Sequence, residues 1–331
     1  MEETNEKGYD FQVDGIYYKF ISNKRVAVTN DRGGFLGKKS YSGDVKIPSD
    51  VLFGGIHYQV TTIGESAFQF CTSLTSVEIP NSVTTIGESA FEHCGLASIE
   101  IPNSVTTIGK RAFEHCWLAS IEIPNSVTTI GESAFEHCWL TSIEIPNSVT
   151  TIGNRAFEDC RRLEQVEIPN SVKELGERTF YGCTGLTSVV IPNSVTTIGW
   201  HVFKGCTGLT SVVISNGVTE IGSWAFDSCT GLTSVEMPNS VTKINNYAFR
   251  GCTGLTSVTF ADSIMGIGEG AFKGCNSLKV VTCKATVPPS VEQNSFTEIK
   301  TKTLFVPRES LATYRNHELW GQFKQILPIE E

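Results

Sequence analysis

The sequence predicts a β-rich, right-handed α/β solenoid of about ten coils of 22–23 residues, closed by a different segment at each end. Three observations carry this reading. Cysteine recurs at Cys71, Cys94, Cys116, Cys138, Cys160, Cys183, Cys206, Cys229, Cys252 and Cys275, in steps of 23, 22, 22, 22 and then five of 23. A phenylalanine stands three residues before each of them, from Phe68 to Phe272. Between one cysteine and the next, the chain reads L-x-x-V-x-I-P-N-S-V-T-x-I-G-x-x-A-F, where a two-residue alternation gives way to turn chemistry.

Composition sets the outer limits. The 331 residues exceed what one ordinary core encloses, and 40% of them are apolar. Charged residues make up only 18%, below the usual quarter, as inward stacked positions require. A net charge of −9 disfavours nucleic acid and anionic lipid as partners. No apolar run approaches the roughly 18 residues that span a bilayer, so no membrane insertion is expected. Residues 1–10 are polar and hold no apolar leader core. The sequence alone therefore allows a cytoplasmic protein, or one whose leader has been removed.

One coil shows the logic of all. Leu140, Ile143 and Ile145 follow L-x-x-I-x-I, an alternation that predicts a short strand. Pro146-Asn147-Ser148 ends it, and Val149 to Ile152 can extend again. Gly153 permits a tight bend, and Ala156, Phe157 and Cys160 are expected on one side of a single helical or 3₁₀ turn. A lone coil cannot bury both its faces, so like positions must stack at about 4.8 Å. The three short steps share one cause: Gly95, Trp117 and Trp139 are single residues between Cys and Leu, where other coils have two.

The ends should act as caps. Residues 1–42 read as a hairpin-like N-terminal cap, with alternation over Phe11 to Tyr18 and Arg25 to Val28. The solenoid spans residues 43–283, starting with the half-unit Val45-Lys46-Ile47-Pro48. Residues 284–331 form the C-terminal cap. There Pro288-Pro289 breaks the pattern, Thr303 to Pro307 adds a last strand, and Ser310 to Tyr314 forms a short helix. Trp320, Phe323 and Ile326 should seal the core.

The unit I-G-x-x-A-F-x-x-C-x-x-L-x-x-V-x-I-P resembles the BspA-type leucine-rich repeat of bacterial surface proteins. The ending V-P-x-x-S-L-x-x-Y…W-x-x-F-x-x-I and the opening Asp14-Gly15-Ile16-Tyr17-Tyr18 resemble that family's caps. The resemblance implies a leucine-rich-repeat solenoid that is secreted or surface-attached. It further implies adhesion to host matrix proteins or other cells, without catalysis. It carries no fixed site residues.

Candidate sites follow from the columns of the repeat. The recurring cysteines and Cys283 are expected as buried thiols that pack the core; no C-x-x-C pair suggests a metal or redox site. Glu78, Glu100, Glu122, Glu144 and Glu167 form an outward ladder, joined by Ser76, Ser98, Ser120 and Ser142 two residues earlier. Stacked carboxylates can recruit Ca²⁺, or can serve as a solvated face that discourages aggregation. His93, His115 and His137 form another ladder, readable as a Zn²⁺ chelate or as exposed polar positions. The strongest pointers to a ligand are aromatic. Trp117 and Trp139 occupy one connection in adjacent coils, whereas Trp200, His201, Trp224 and Tyr247 sit on the turn before the core phenylalanine.

No nucleophile elbow, H-E-x-x-H, phosphate-binding loop or dinucleotide fingerprint is present, so no enzyme and no cofactor are expected. The reading is a binding protein for a protein or glycan ligand. Its alternative is a structural, self-assembling repeat protein of the envelope or cytoplasm.

Overall fold

Every Phe and Cys of the repeat columns, from Phe68 and Cys71 to Phe272 and Cys275, is buried. The computed structural model describes residues 8–31, 41–296 and 299–330. The remainder of the expected N-terminal cap, residues 1–7 and 32–40, lies outside the described residues. The chain falls into two compact units, Met1–Cys160 and Arg161–Glu331.

In the first unit, Phe11–Val13, Ile16–Ser22 and Arg25–Thr29 form the expected antiparallel cap. A second hairpin, Asp50–Phe53 with Ile56–Ile63, turns at Gly54-Gly55, both at positive φ. Arg25–Thr29 pairs in parallel with Ile56–Ile63, which starts a ladder through Thr85–Ile86, Thr107–Ile108, Thr129–Ile130 and Thr151–Ile152. The half-unit strand Gly43–Lys46 pairs with Leu74–Glu78.

In the second unit, Ser188–Ile191 pairs with Ser211–Ile214. Ser234–Glu236, Ser257–Phe260, Val280–Cys283, Thr303–Val306 and Gln325–Pro328 continue as parallel strands. A second ladder runs through Thr197–Ile198, Glu220–Ile221, Lys243–Ile244, Gly266–Ile267 and Ser290–Val291. The helix Leu311–Arg315 sits where the sequence places it and is the single α-helix among the described residues. Trp320, Phe323 and Ile326 are buried and close the end. Trp320 Nε1 donates to the Pro289 carbonyl at 2.9 Å, and the Tyr314 hydroxyl donates to the Ala285 carbonyl at 2.9 Å.

The core is a stack of rings. In the first unit, Phe68, Phe91, Phe113, Phe135 and Phe157 lie with centroids 5.0–5.5 Å apart and planes within 5°. The second unit repeats this from Phe180 to Phe272 and extends it to Phe296 in the cap, 5.3 Å from Phe272. Each buried ring contributes about 1.5–3 kcal/mol of hydrophobic stabilisation.

Cysteine fits beside this stack because a small apolar side chain there also carries one weak donor. Cys94 Sγ donates to the Phe68 carbonyl at 2.8 Å, and Cys116, Cys138 and Cys160 donate likewise to Phe91, Phe113 and Phe135. In the second unit, Cys206, Cys229, Cys252 and Cys275 repeat the bond at 3.1 Å. All eleven cysteines are buried, and none is in a disulfide. Burial pushes the thiols up, to about 12 at Cys116, Cys160 and Cys206.

The expected helical turn around Ala-Phe-x-x-Cys is absent. The segment is instead a run of β-turns with left-handed residues at Ser66 and Phe70, and at the matching Ser89 and His93. Its N–H groups alternate in direction. Ala67, Gln69 and Cys71 donate back to Gly64, Ser66 and Phe68. Ser66, Phe68 and Phe70 donate to Glu88, Ala90 and Glu92 of the next coil. A helical turn would send every N–H along its own chain and leave the neighbouring carbonyls unpartnered. The inter-coil bonds offset the cost of positive φ, about 1–2 kcal/mol for a residue with a side chain.

The short coils also differ from expectation. In a 23-residue coil, Leu186 N–H donates to the Cys183 carbonyl three residues back. With one residue between Cys and Leu that bond cannot form. Residues 97–101 and 119–123 make no regular strand, although Ala119 N–H still reaches the Ala97 carbonyl at 3.2 Å.

Candidate binding surfaces

In the first unit, Trp117 and Trp139 lie side by side, centroids 5.9 Å apart and 17° from parallel. They are 53% and 46% exposed, which is high for tryptophan. Each is the lone residue of a shortened connection between Cys and Leu.

The second column group of this unit is polar. His93, His115 and His137 stack with centroids 4.3 Å apart, and Phe70 stacks on His93 at 4.9 Å. All four residues are left-handed, with φ of 56–59°. Beside them runs a row of carboxylates that sequence reasoning passed over: Glu92, Glu114, Glu136 and Glu158. Each histidine Nε2 lies 3.7–4.0 Å from the glutamate just before it, and His137 Nδ1 lies 3.8 Å from Asp159. Arg111 and Arg155 approach Glu114 and Glu158 at 3.3 and 3.6 Å. Burial, then Glu136 and Glu92, push the Glu114 carboxyl up to about 7 against the attraction of Arg111 and Arg155. Burial, then His137 and His93, hold the His115 imidazole below its usual range.

Glu78, Glu100, Glu122, Glu144 and Glu167 are exposed, as their column predicts, and Glu78 pairs with Lys46 at 2.8 Å. Among the described residues, no group of three or more His, Cys, Asp or Glu side chains is placed to hold a metal ion.

The second unit builds the more elaborate surface. Arg178, His201, Trp224 and Tyr247 occupy one turn position in successive coils, each left-handed at φ 58–61°. Trp224 and Tyr247 stack at 4.4 Å. Trp200 packs on His201 at 4.2 Å and is 43% exposed. Gly270 is next in the column, and a β-carbon there would overlap the Tyr247 ring. Glycine thus leaves Tyr247 its place, and the Tyr247 hydroxyl donates to Glu269 at 2.6 Å.

His201 does not face a partner. It is 7% exposed, and burial, Lys204 and Arg178 push its imidazole down to about 4, so it stays neutral. Three cations that sequence reasoning missed surround the rings. Arg178 lies 5.3 Å from the Tyr181 centroid and 5.7 Å from that of Trp200. Lys204 and Arg250 approach Trp224 at 5.2 and 5.1 Å. The available signal was spacing: Lys204 and Arg250 each stand three residues after a left-handed position, His201 and Tyr247.

The BspA type leucine-rich repeat region matches residues 55–118, 106–233 and 201–318, in six copies. The chain belongs to the BspA-type leucine-rich repeat family. A crystal structure of a leucine-rich repeat protein from Bacteroides ovatus is 29% identical, with TM-score 0.76, covering 96% of this chain and 91% of that one. Two others share the fold at lower identity. A leucine-rich repeat protein from Eubacterium ventriosum is 22% identical, with TM-score 0.52, covering 96% of this chain and 83% of that one. The pneumococcal vaccine antigen PcpA is 20% identical, also with TM-score 0.52, covering 98% of this chain and all of that one. No curated protein matches the sequence. Among the described residues, no helix is long and apolar enough to cross a membrane.

Proposed function

We propose that this BspA-type repeat protein is a non-enzymatic, adhesin-like binding protein, secreted or held at the bacterial surface. It contacts a host or matrix protein or glycan through the Trp200–Trp224–Tyr247 corner, with Trp117 and Trp139 as a second contact. The observation that carries this reading is the corner itself. Successive coils hold large aromatic rings in fixed stacks, edged by cations, where the other coils have serine, arginine or glycine at the turn position of Trp224 and Tyr247. Pre-ordered aromatic anchors are the residues that dominate recognition surfaces. The surface location rests on the family, whose members are typically surface-associated. The test is an immobilised panel of matrix proteins and glycans probed with the full chain. Saturable binding that is lost in Trp200→Ala/Trp224→Ala or in Trp117→Ala/Trp139→Ala, with the fold intact, supports the reading. Equal affinity of both folded double variants removes it.

A second reading, self-assembly, is favoured by one specific feature. Phe20, Ile21, Leu52, Phe53 and Ile56 are exposed on the two N-terminal hairpins. A mass that rises with concentration in light scattering, and falls back in Ile21→Ser/Leu52→Ser, would favour assembly over adhesion.

A further inference from the structure

Resting on the binding reading above, the Trp117–Trp139 ledge of the first unit also specifies the charge of its partner.

The two faces of the Trp117 ring differ. Trp139 backs one of them, with centroids 5.9 Å apart. The other looks along the column toward Gly95, which holds the same place between Cys and Leu one coil earlier and has no side chain to cover the ring. Among the described residues no second ring and no cation packs on Trp117, which is 53% exposed. The gap is built in, because a β-carbon at Gly95 would overlap the Thr72 carbonyl. The next side chains of the column, Thr72 and Ser73, stand two coils from Trp117. That is about 10 Å at a stacking repeat of about 4.8 Å, room for one flat group against the ring.

Charge selects the group. Residues 94–104, 116–126 and 138–148 run from a core cysteine to the Pro-Asn-Ser turn, and each segment holds a single charged residue: Glu100, Glu122 or Glu144. All three carboxylates are exposed, and among the described residues none has a cationic partner. The cations of the adjoining segments are engaged elsewhere. Lys46 pairs with Glu78 in the coil before. On the turn side of the cysteines, Lys110 pairs with Glu132 at 3.2 Å, Arg111 with Glu114 at 3.3 Å and Arg155 with Glu158 at 3.6 Å. Arg161 and Arg162 come after Cys160 and belong to the second unit. The surface beside the ledge is therefore acidic, which disfavours an anionic partner and attracts a cationic one.

A guanidinium meets both conditions, since it is flat, stacks on an indole face and carries a fixed positive charge. Glu122 follows Trp117 by five residues, at most about 18 Å of extended chain. Ala119 and Ser120 lie between them, small and exposed, and leave the path open. We infer that this ledge binds a basic, extended protein segment, with one arginine stacked on Trp117 in the gap over Gly95 and a second basic residue about five positions away at the Glu100, Glu122 and Glu144 carboxylates.

The test uses the full chain over immobilised probes. One is a capped six-residue peptide with arginine at both ends and serine and glycine between. Its lysine, glutamine and glutamate counterparts and a neutral cello-oligosaccharide complete the set. Three variants accompany it: Trp117→Ala, Glu100→Gln/Glu122→Gln/Glu144→Gln, and the control Glu65→Gln/Glu88→Gln, which removes exposed charge from the turn segments instead. Circular dichroism and thermal melting confirm their folds. Saturable binding is expected to the arginine peptide, weaker to lysine and absent for glutamine, glutamate and the neutral sugar. Trp117→Ala should weaken the arginine peptide about 3–10-fold, as expected for one exposed cation–π contact. The triple variant should weaken it by a similar factor at low salt and by less as salt rises, and the control should leave it unchanged. Equal binding of arginine and glutamine peptides, preference for the neutral sugar, or an equal loss in the control overturns the inference. So does arginine binding that Trp117→Ala leaves untouched. If a ligand of the matrix panel depends on Trp117 yet the arginine peptide does not bind, the cationic chemistry fails and the wider binding reading stands. If neither the peptide nor any panel ligand binds, both fail.

Discussion

Replacing Glu114 by Gln tests the carboxylate row directly. The Glu114 carboxyl is raised from its ordinary 4.5 to about 7, chiefly by burial and then by Glu136 and Glu92. The fold therefore holds this proton more tightly than the unfolded chain does. Its contribution to stability is fully present below about 4.5 and is lost as pH rises through about 7. At about 1.4 kcal/mol per pH unit, the difference sets a ceiling of about 3 kcal/mol. The carboxylate keeps part of its solvent contact, so screening reduces this to about 1–2 kcal/mol. Glutamine keeps the shape and removes the charge. Glu114→Gln should match the native chain near pH 4.5 and melt about 2–8 °C higher at pH 8, using about 2–4 °C per kcal/mol. Differential scanning calorimetry from pH 4.5 to 8.5 at constant ionic strength reads the difference. A constant offset across that range, or a variant less stable at pH 8, would refute the argument. The second outcome would mean that the Arg111 contact at 3.3 Å outweighs burial.

Other outcomes follow from the same structure. His115 carries the opposite sign: its lowered imidazole costs stability as pH falls below about 6.5, so His115→Asn should flatten the acid limb of the melting curve. Eleven thiols should stay silent to Ellman's reagent in the native protein and all react in denaturant without reductant; protection after full unfolding would mean disulfides. Phe113→Ala removes one ring from a stack with neighbours at 5.3 and 5.5 Å and should cost about 3–5 kcal/mol in urea unfolding, with a cost under about 1 kcal/mol contradicting the stack's role. Calcium should leave the melting temperature unchanged, because the exposed glutamates hold no assembled oxygen cage; calorimetric uptake lost in Glu122→Gln/Glu144→Gln would reverse that expectation.

Much of the fold is legible in the columns of the sequence. Phe and Cys recur at one period because one coil must lie on the next, and the structure buries every one of them. The burial of Trp320, Phe323 and Tyr314 was readable because these side chains are too large and too apolar for an exposed end. The left-handed turns were not read, since positive φ is uncommon in any residue but glycine, and the first member of the column is the bulky Phe70. A signal was there in the same column, where Gly182, Gly205, Gly251 and Gly274 replace them in the later coils. The helical reading failed because periodicity within one chain cannot show that alternate N–H groups leave for the next coil. The aromatic positions were legible as a column, whereas His201 proved buried and the cations came to light only with the turn geometry. Trp224 meets Lys204 from the coil before and Arg250 from the coil after, a contact no local motif encodes.

On the binding function proposed above, the repeat scaffold presents its ligand surface at the aromatic corner of the second unit. Hydrogen–deuterium exchange of the full chain, with and without the tightest ligand of the binding panel, tests it most directly. Protection is expected at residues 177–182, 200–205, 223–228 and 246–251, with little change along the strands Ser188–Ile191 and Ser211–Ile214. Protection confined to those strands, or no saturable ligand anywhere on the panel, would contradict it.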